Sequence, residues 1–108
     1  MREGELVLVE LPQATGTPKR RPALVLRQMP GYGDYLVCGL SSQLRQYIAG
    51  FDELLQPDRT NGLRVESVVR LGFLNTVSEA QILGRMGNVL ATLQADLLQR
   101  LATYLTTH

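Results

Sequence analysis

Lys19, Arg20 and Arg21 form the only run of three cations in a chain of 108 residues. Lys19 is the sole lysine among 11 basic residues, so the chain has chosen arginine almost everywhere. A guanidinium is planar and forked, and suits bidentate contact with phosphate or carboxylate. The plain alternative is a solvated surface cluster. With 11 basic and 10 acidic residues the net charge is +1. That excludes a histone-like or tail-driven nucleic-acid binder and leaves room for a local basic site. One histidine (His108) and one cysteine (Cys38) provide no metal-ligand spacing and no Cys-His nucleophile pair. Neither a G-x-x-x-x-G-K-[ST] phosphate loop nor a G-x-S-x-G elbow occurs. The chemistry left to this chain is charge stabilisation by guanidinium groups, helped by hydroxyls.

The elements that must carry these groups are mostly short strands. Glu5 to Leu11 reads as a first strand with Val7, Val9 and Leu11 on one face. Pro12 to Lys19 is rich in turn residues and reads as a loop. Arg21 to Leu26 is the second strand, with Pro22 confined to its start or to an edge. Met29 to Asp34 is a turn, and Tyr35 to Leu40 is the third strand. Connections this short predict an antiparallel meander. Leu44, Tyr47 and Ile48 fit a helical turn that Gly50 interrupts, and Asp58 to Gly62 is a turn. Val65 to Leu71 is a further strand, with Val65, Ser67, Val69 and Leu71 on one face and Glu66, Val68 and Arg70 on the other. Ser78 to Ile82 suggests a helical turn, and Gly84 to Val89 a closing strand. Leu90, Leu93, Leu97, Leu98, Leu101 and Leu105 recur at helical spacing, with Gln94, Asp96, Gln99, Arg100 and Thr103 on the polar side. The leucine stripe reads as core, with a dimer seam as the lesser alternative. The whole chain, 1–108, reads as a single domain, mainly β with a C-terminal helix, whose strands curl into a small barrel covered by the helix. No segment has the ~18 apolar residues needed to cross a bilayer. The N-terminus has no signal-type apolar core and Cys38 has no internal partner, which predicts a protein of the reducing cytoplasm.

Several of these segments, in order, resemble the MazF/PemK toxin family. Gly4 to Leu11 is similar to its opening strand. Lys19-Arg20-Arg21-Pro22-Ala23-Leu24-Val25-Leu26 resembles its second strand and its R-P-[AV]-L-V-[IL] run. Val37 to Gln43 is similar to its third strand, which ends in Thr or Ser with a nearby Gln. Ser67 to Arg70, and Leu83 to Val89 with the helix that follows, resemble the remainder. After Arg70 the resemblance breaks. Well-studied members continue with an Asp-Gln pair and then Arg-Thr, where this chain has Gly72-Phe73-Leu74-Asn75-Thr76. Gly16-Thr17-Pro18 likewise replaces the family's G-[HS]-E-Q context.

The resemblance implies a small SH3-like β-barrel of the MazF/CcdB-like toxin fold, commonly a homodimer. It also implies a toxin of a type II toxin-antitoxin system, a metal-independent endoribonuclease without cofactors that cuts single-stranded RNA. A cognate antitoxin is the expected partner. The family's catalytic arginine falls on Arg21 and its catalytic Thr or Ser on Ser41. Lys19, Arg20, Ser42, Gln43 and Arg70 are the expected RNA contacts. The chemistry is coherent: RNA carries its own nucleophile, the 2′-OH, and a forked guanidinium suits the charged phosphorane. In an antiparallel pair the start of one strand lies beside the end of the next, so Arg21 and Ser41 can meet. A non-catalytic SH3-like binding module, like a gyrase poison or an inactive toxin relative, is the alternative. The missing carboxylate near Gly72 favours that alternative, and retention of Arg21 and Ser41 favours the nuclease.

Overall fold

Apolar side chains on both faces build the centre of the sheet. The computed structural model describes residues 2–11, 16–17 and 19–107. Strand β1 (Glu5–Leu11) pairs with β2 (Lys19–Gln28), and β2 with β3 (Tyr35–Ser41), as the antiparallel meander that the short connections predict. Of the loop expected over Pro12 to Lys19, positions 12–15 and 18 lie outside the described residues. Strand β2 begins at Lys19, two residues before the expected Arg21, because β1 is long enough to pair Glu10 with Arg20 and Leu11 with Lys19. Lys19, expected at the end of the loop, and Arg20 are therefore strand residues like Arg21. Pro22 lies inside β2, opposite Leu8 of β1. The β2–β3 ladder ends at Ala23↔Gly39, so Pro22 sits at a local edge and owes no hydrogen bond on that side.

Two further strands extend the sheet beyond β3. Strand β4 (Glu53–Leu55), absent from the sequence reading, pairs with β5 (Ser67–Val77). Three residues are too few for a period-two pattern to register. Strand β5 starts two residues later and ends six later than the expected Val65–Leu71. A register shift against β3, between Cys38↔Leu74 and Leu40↔Val69, absorbs the Gly72-Phe73 segment and lets the strand continue. The expected helical turns are 3-10 turns at Leu44–Gln46 and Glu79–Gln81. The closing strand is β6 (Ile82–Asn88), paired with β1. The sheet order is β4-β5-β3-β2-β1-β6, all antiparallel, a curved half-barrel followed by helix α1 (Ala91–Thr106).

Both faces of the central strands are buried. Leu6, Leu24, Leu26, Cys38, Leu40, Val69 and Leu71 form one cluster with Leu97 and Leu101 of α1. Val7, Val9, Leu11, Ala23, Val25, Val37 and Val77 form a second, which contains no helix residue. The second face is thus covered by the sheet's own curl, and the helix seals the first. Cys38 belongs to the first cluster, and burial, with Asp52 adding to it, pushes its thiol up to about 12. It is a packing residue that stays protonated.

The helix departs from its leucine stripe at both ends. Leu90 is its exposed N-cap, outside the helical turns, and Leu105 is exposed near its end. Gln94, expected on the polar side, is buried instead, and its Nε2 donates to the carbonyl of Leu26 at 2.8 Å. The Asp96–Arg100 pair forms as the i, i+4 spacing predicts. Arg100 also donates to the carbonyls of Phe51 (3.0 Å) and Asp52 (3.1 Å) and to Glu53 Oε1 (3.1 Å). Burial opposes its charge, but Asp96 and Glu53 outweigh that and raise its pKa. One guanidinium thereby ties α1 to the approach to β4. Arg100→Ala is expected to lower stability by about 2 kcal/mol, the scale of hydrogen bonds to a charged group. Arg100→Lys recovers less than half, since a point charge cannot span both carbonyls and a carboxylate. Chemical denaturation of the two variants checks this.

Candidate active site

A groove of about 350 Å³ opens where β2 begins and β3 ends. Lys19, Arg20, Arg21, Ser41, Ser42 and Gln43 all line it, so six of the residues singled out from sequence are brought together. The β2–β3 ladder stops at Ala23↔Gly39, two residues short of Arg21 on one strand and of Ser41 on the other. The two strands part there and leave the groove between their ends. Ser41 remains paired to β5, opposite Val68, and its Oγ accepts the backbone N–H of Gln43 at 3.1 Å. That bond leaves the hydroxyl proton available to a ligand oxygen. Gln43 is oriented in turn by Arg45, whose Nη2 donates to its Oε1 at 2.8 Å.

The groove's electrostatics are one-signed. Among the described residues its lining holds four cations, Lys19, Arg20, Arg21 and Arg64, and no carboxylate. Among the described residues none of the four takes part in an ion pair. Lys19, Arg20 and Arg64 are exposed, whereas Arg21 is half-buried. A chain of net charge +1 therefore concentrates unpaired positive charge at one place.

Arg70 is the exception among the expected site residues, for it does not line the groove. It reaches the site indirectly. Its guanidinium carbon lies 5.4 Å from the centroid of the Phe73 ring, and that of Arg21 lies 5.8 Å from the same centroid. Glu66, a possible partner for Arg70 on the same strand face, instead accepts a hydrogen bond from Gln56 Nε2.

Arg64 and Phe73 are the residues the sequence reading missed. Arg64 enters because the turn at Asn61–Gly62 folds the chain back onto β6. The turn is fixed by Asn61, whose Oδ1 accepts the N–H groups of Asp58 (3.1 Å) and Leu63 (2.9 Å). For Phe73 a faint signal existed in Gly39, a glycine inside a strand, which often marks a close approach. Among the described residues no three His, Cys, Asp or Glu side chains gather to hold a metal ion, and no helix is long and apolar enough to cross a membrane.

The fold and groove define a class: a small curved antiparallel sheet, sealed by a C-terminal helix, with a cationic rim between two strand ends. The chain belongs to the PemK-like, MazF-like toxins of type II toxin-antitoxin systems, whose family model matches residues 2–105. Solved structures share its fold. The Mycobacterium tuberculosis toxin MazF-mt6 superposes with a TM-score of 0.72 at 19% identity, over 96% of this chain and 98% of that one. MazF in the MazE-MazF structure from Deinococcus radiodurans gives 0.74 at 21%, over 100% and 97%. A mycobacterial endoribonuclease in complex with its cognate antitoxin gives 0.74 at 14%, over 100% and 97%. At such identities the likeness is one of fold. A comparison with curated proteins finds no match.

Proposed function

We propose that this toxin is an endoribonuclease that cuts single-stranded RNA by attack of the RNA's own 2′-OH. The observation that carries the reading is the half-buried Arg21, which among the described residues has no ion pair and lies at a groove lined by four cations and no carboxylate. In the proposed step the 2′-oxygen bonds to phosphorus and loses its proton to solvent. The P–O5′ bond then breaks, and solvent protonates the leaving 5′-oxygen. Arg21 stabilises the extra charge on the phosphorane, and Ser41 donates its hydroxyl proton to a phosphate oxygen. Lys19, Arg20 and Arg64 hold the flanking phosphates, with Ser42 and Gln43 at the same rim. The same reading carries a homodimer and a cognate antitoxin. The antitoxin would be an acidic and apolar segment, disordered until bound, that lies across the groove and excludes RNA.

A second reading has its own support. The described groove lining contains no carboxylate or imidazole to act as general base, which favours a non-catalytic module that binds a protein partner. Incubation with a mixed RNA, with and without EDTA, separates the two. The nuclease reading expects cuts that persist in EDTA, cyclic-phosphate ends by end mapping, and no cleavage of a substrate with a 2′-deoxy sugar at the cut position. Cleavage abolished by EDTA would remove the mechanism, and intact RNA under every condition would leave the binding module.

A further inference from the structure

Arg21 and Arg70 share an unusual circumstance. Among the described residues neither guanidinium has an ion pair or a side-chain hydrogen bond. A long side chain without such a partner samples several rotamers, and that freedom must be lost before it can hold a transition state. What both do have is one aromatic ring. Their guanidinium carbons lie 5.8 and 5.4 Å from the Phe73 centroid, within the reach of a cation–π attraction. The ring itself is held in place. It packs on the cluster that includes Val7, Val9, Ala23 and Val25. It also lies so close to Gly39 that an added Cβ there would stand 2.5 Å from Phe73 Cδ2. The register shift of β5 against β3 falls at this point and delivers the ring.

We infer that Phe73 is the positioning residue of the cationic site: its ring, seated on Gly39, holds the guanidiniums of Arg21 and Arg70 toward one bound phosphate. In its consequence for rate the inference rests on the nuclease reading. The positioning itself rests on geometry alone. Two like charges gathered at one ring repel each other, and the negative face of the ring offsets that repulsion. Phe73 then does with a π-face what a hydrogen-bonding neighbour of an arginine would do with an oxygen. It also makes Arg70 part of the site although Arg70 is not in the groove wall.

The test compares Phe73→Leu with Phe73→Tyr, which keeps the ring. Phe73→Leu is expected to lower kcat roughly ten- to a hundredfold, the scale of a small misplacement of a catalytic group, with KM nearly unchanged. Phe73→Tyr should return to within about threefold of wild type, because the π-face remains. In the background lacking both guanidiniums (Arg21→Ala with Arg70→Ala) Phe73→Leu should cost under about twofold, since the ring acts through those two side chains. NMR of the RNA-free protein gives a readout independent of activity. The Arg21 and Arg70 side-chain resonances should be displaced by the ring current, lose that displacement in Phe73→Leu, and keep it in Phe73→Tyr. Should the leucine variant not fold, Phe73→Met carries the same measurements. Full kcat in a folded Phe73→Leu protein, or arginine resonances that do not respond to loss of the ring, would overturn the inference. A wild-type protein inert toward RNA but with ring-displaced arginines would overturn the nuclease reading and support the positioning.

Discussion

Arg21→Ala is expected to lower RNA cleavage by roughly 10²–10³-fold, the usual cost of removing one preorganised donor aimed at developing charge. The protein should stay folded. Arg21 lies in β2 beyond the last pair of the β2–β3 ladder, and its guanidinium makes no ion pair among the described residues. What truncation removes from the fold is a cation–π contact on Phe73, about 0.5–1 kcal/mol, against a typical stability of 5–15 kcal/mol. Arg21→Lys should restore little. An ammonium is a point charge, and it neither grips two phosphate oxygens at once nor stacks on the ring as a planar fork does. The measurement is single-turnover cleavage of one single-stranded RNA by wild type and both variants, with an unfolding curve for each. A folded Arg21→Ala protein with full activity would end the assignment.

Ser41→Ala is expected to lower cleavage less than Arg21→Ala in the same assay. A neutral hydroxyl donates a weaker hydrogen bond than a guanidinium does. Its oxygen is already engaged by the Gln43 N–H, so it can donate to a substrate without being reoriented.

The physical origin of each element decides how much of it could be read beforehand. Strands β1 to β3 were legible because short apolar, valine-rich runs such as Leu6–Val9 and Ala23–Leu26 are bounded by turn residues. A second apolar face was legible in Leu6 and Leu8 of β1, but not which face meets the helix, since Leu6 and Leu24 join Leu97 and Leu101 while Val7 and Val25 do not. The helix was legible but its buried face was only partly so. Leu90 and Leu105 keep the spacing yet are exposed, while Gln94 is buried because a strand carbonyl needs its amide. In the site, the contiguous Lys19–Arg21 and Ser41–Gln43 segments meet because adjacent antiparallel strands must bring their ends together. Arg64 and Phe73 arrive through irregular backbone, a turn and a register shift, and no period in the sequence announces either.

That irregular backbone is expected to be the most fragile part of the fold. Gly62 has φ of +70°, a region that L side chains rarely adopt, and a Cβ added there would overlap the carbonyl oxygen of Met86 and lie 2.9 Å from its carbon. Gly87 is the counterpart. Its Cβ would overlap Thr60 O and stand 2.5 Å from the carbonyl carbon of Asn61. The Asn88 N–H donates to Thr60 O at 2.9 Å, so the turn and β6 touch backbone to backbone. No side-chain rotation can relieve an overlap of that kind. Gly62→Ala combines a left-handed residue, about 1–2 kcal/mol, with displacement of a bonded backbone. Its total cost should be roughly 3 kcal/mol or more. For a domain of this size that corresponds to a Tm lower by more than about 10 °C. Gly87→Ala should fall in the same range through the overlap alone. Gly84→Ala is the control: it lies in the same strand, nothing stands within 4 Å of its Cβ position, and it should stay within about 0.5 kcal/mol of wild type. Function follows the same backbone, since Gly62, Leu63, Arg64, Val65 and Met86 all line the groove. A shift of the turn away from β6 carries Arg64 with it, so RNA affinity should fall in Gly62→Ala even below its melting temperature. Chemical denaturation and RNA binding of the three alanine variants measure both effects. A Gly62→Ala protein within 1 kcal/mol of wild type would show that the turn and β6 are not in the backbone contact on which this expectation rests.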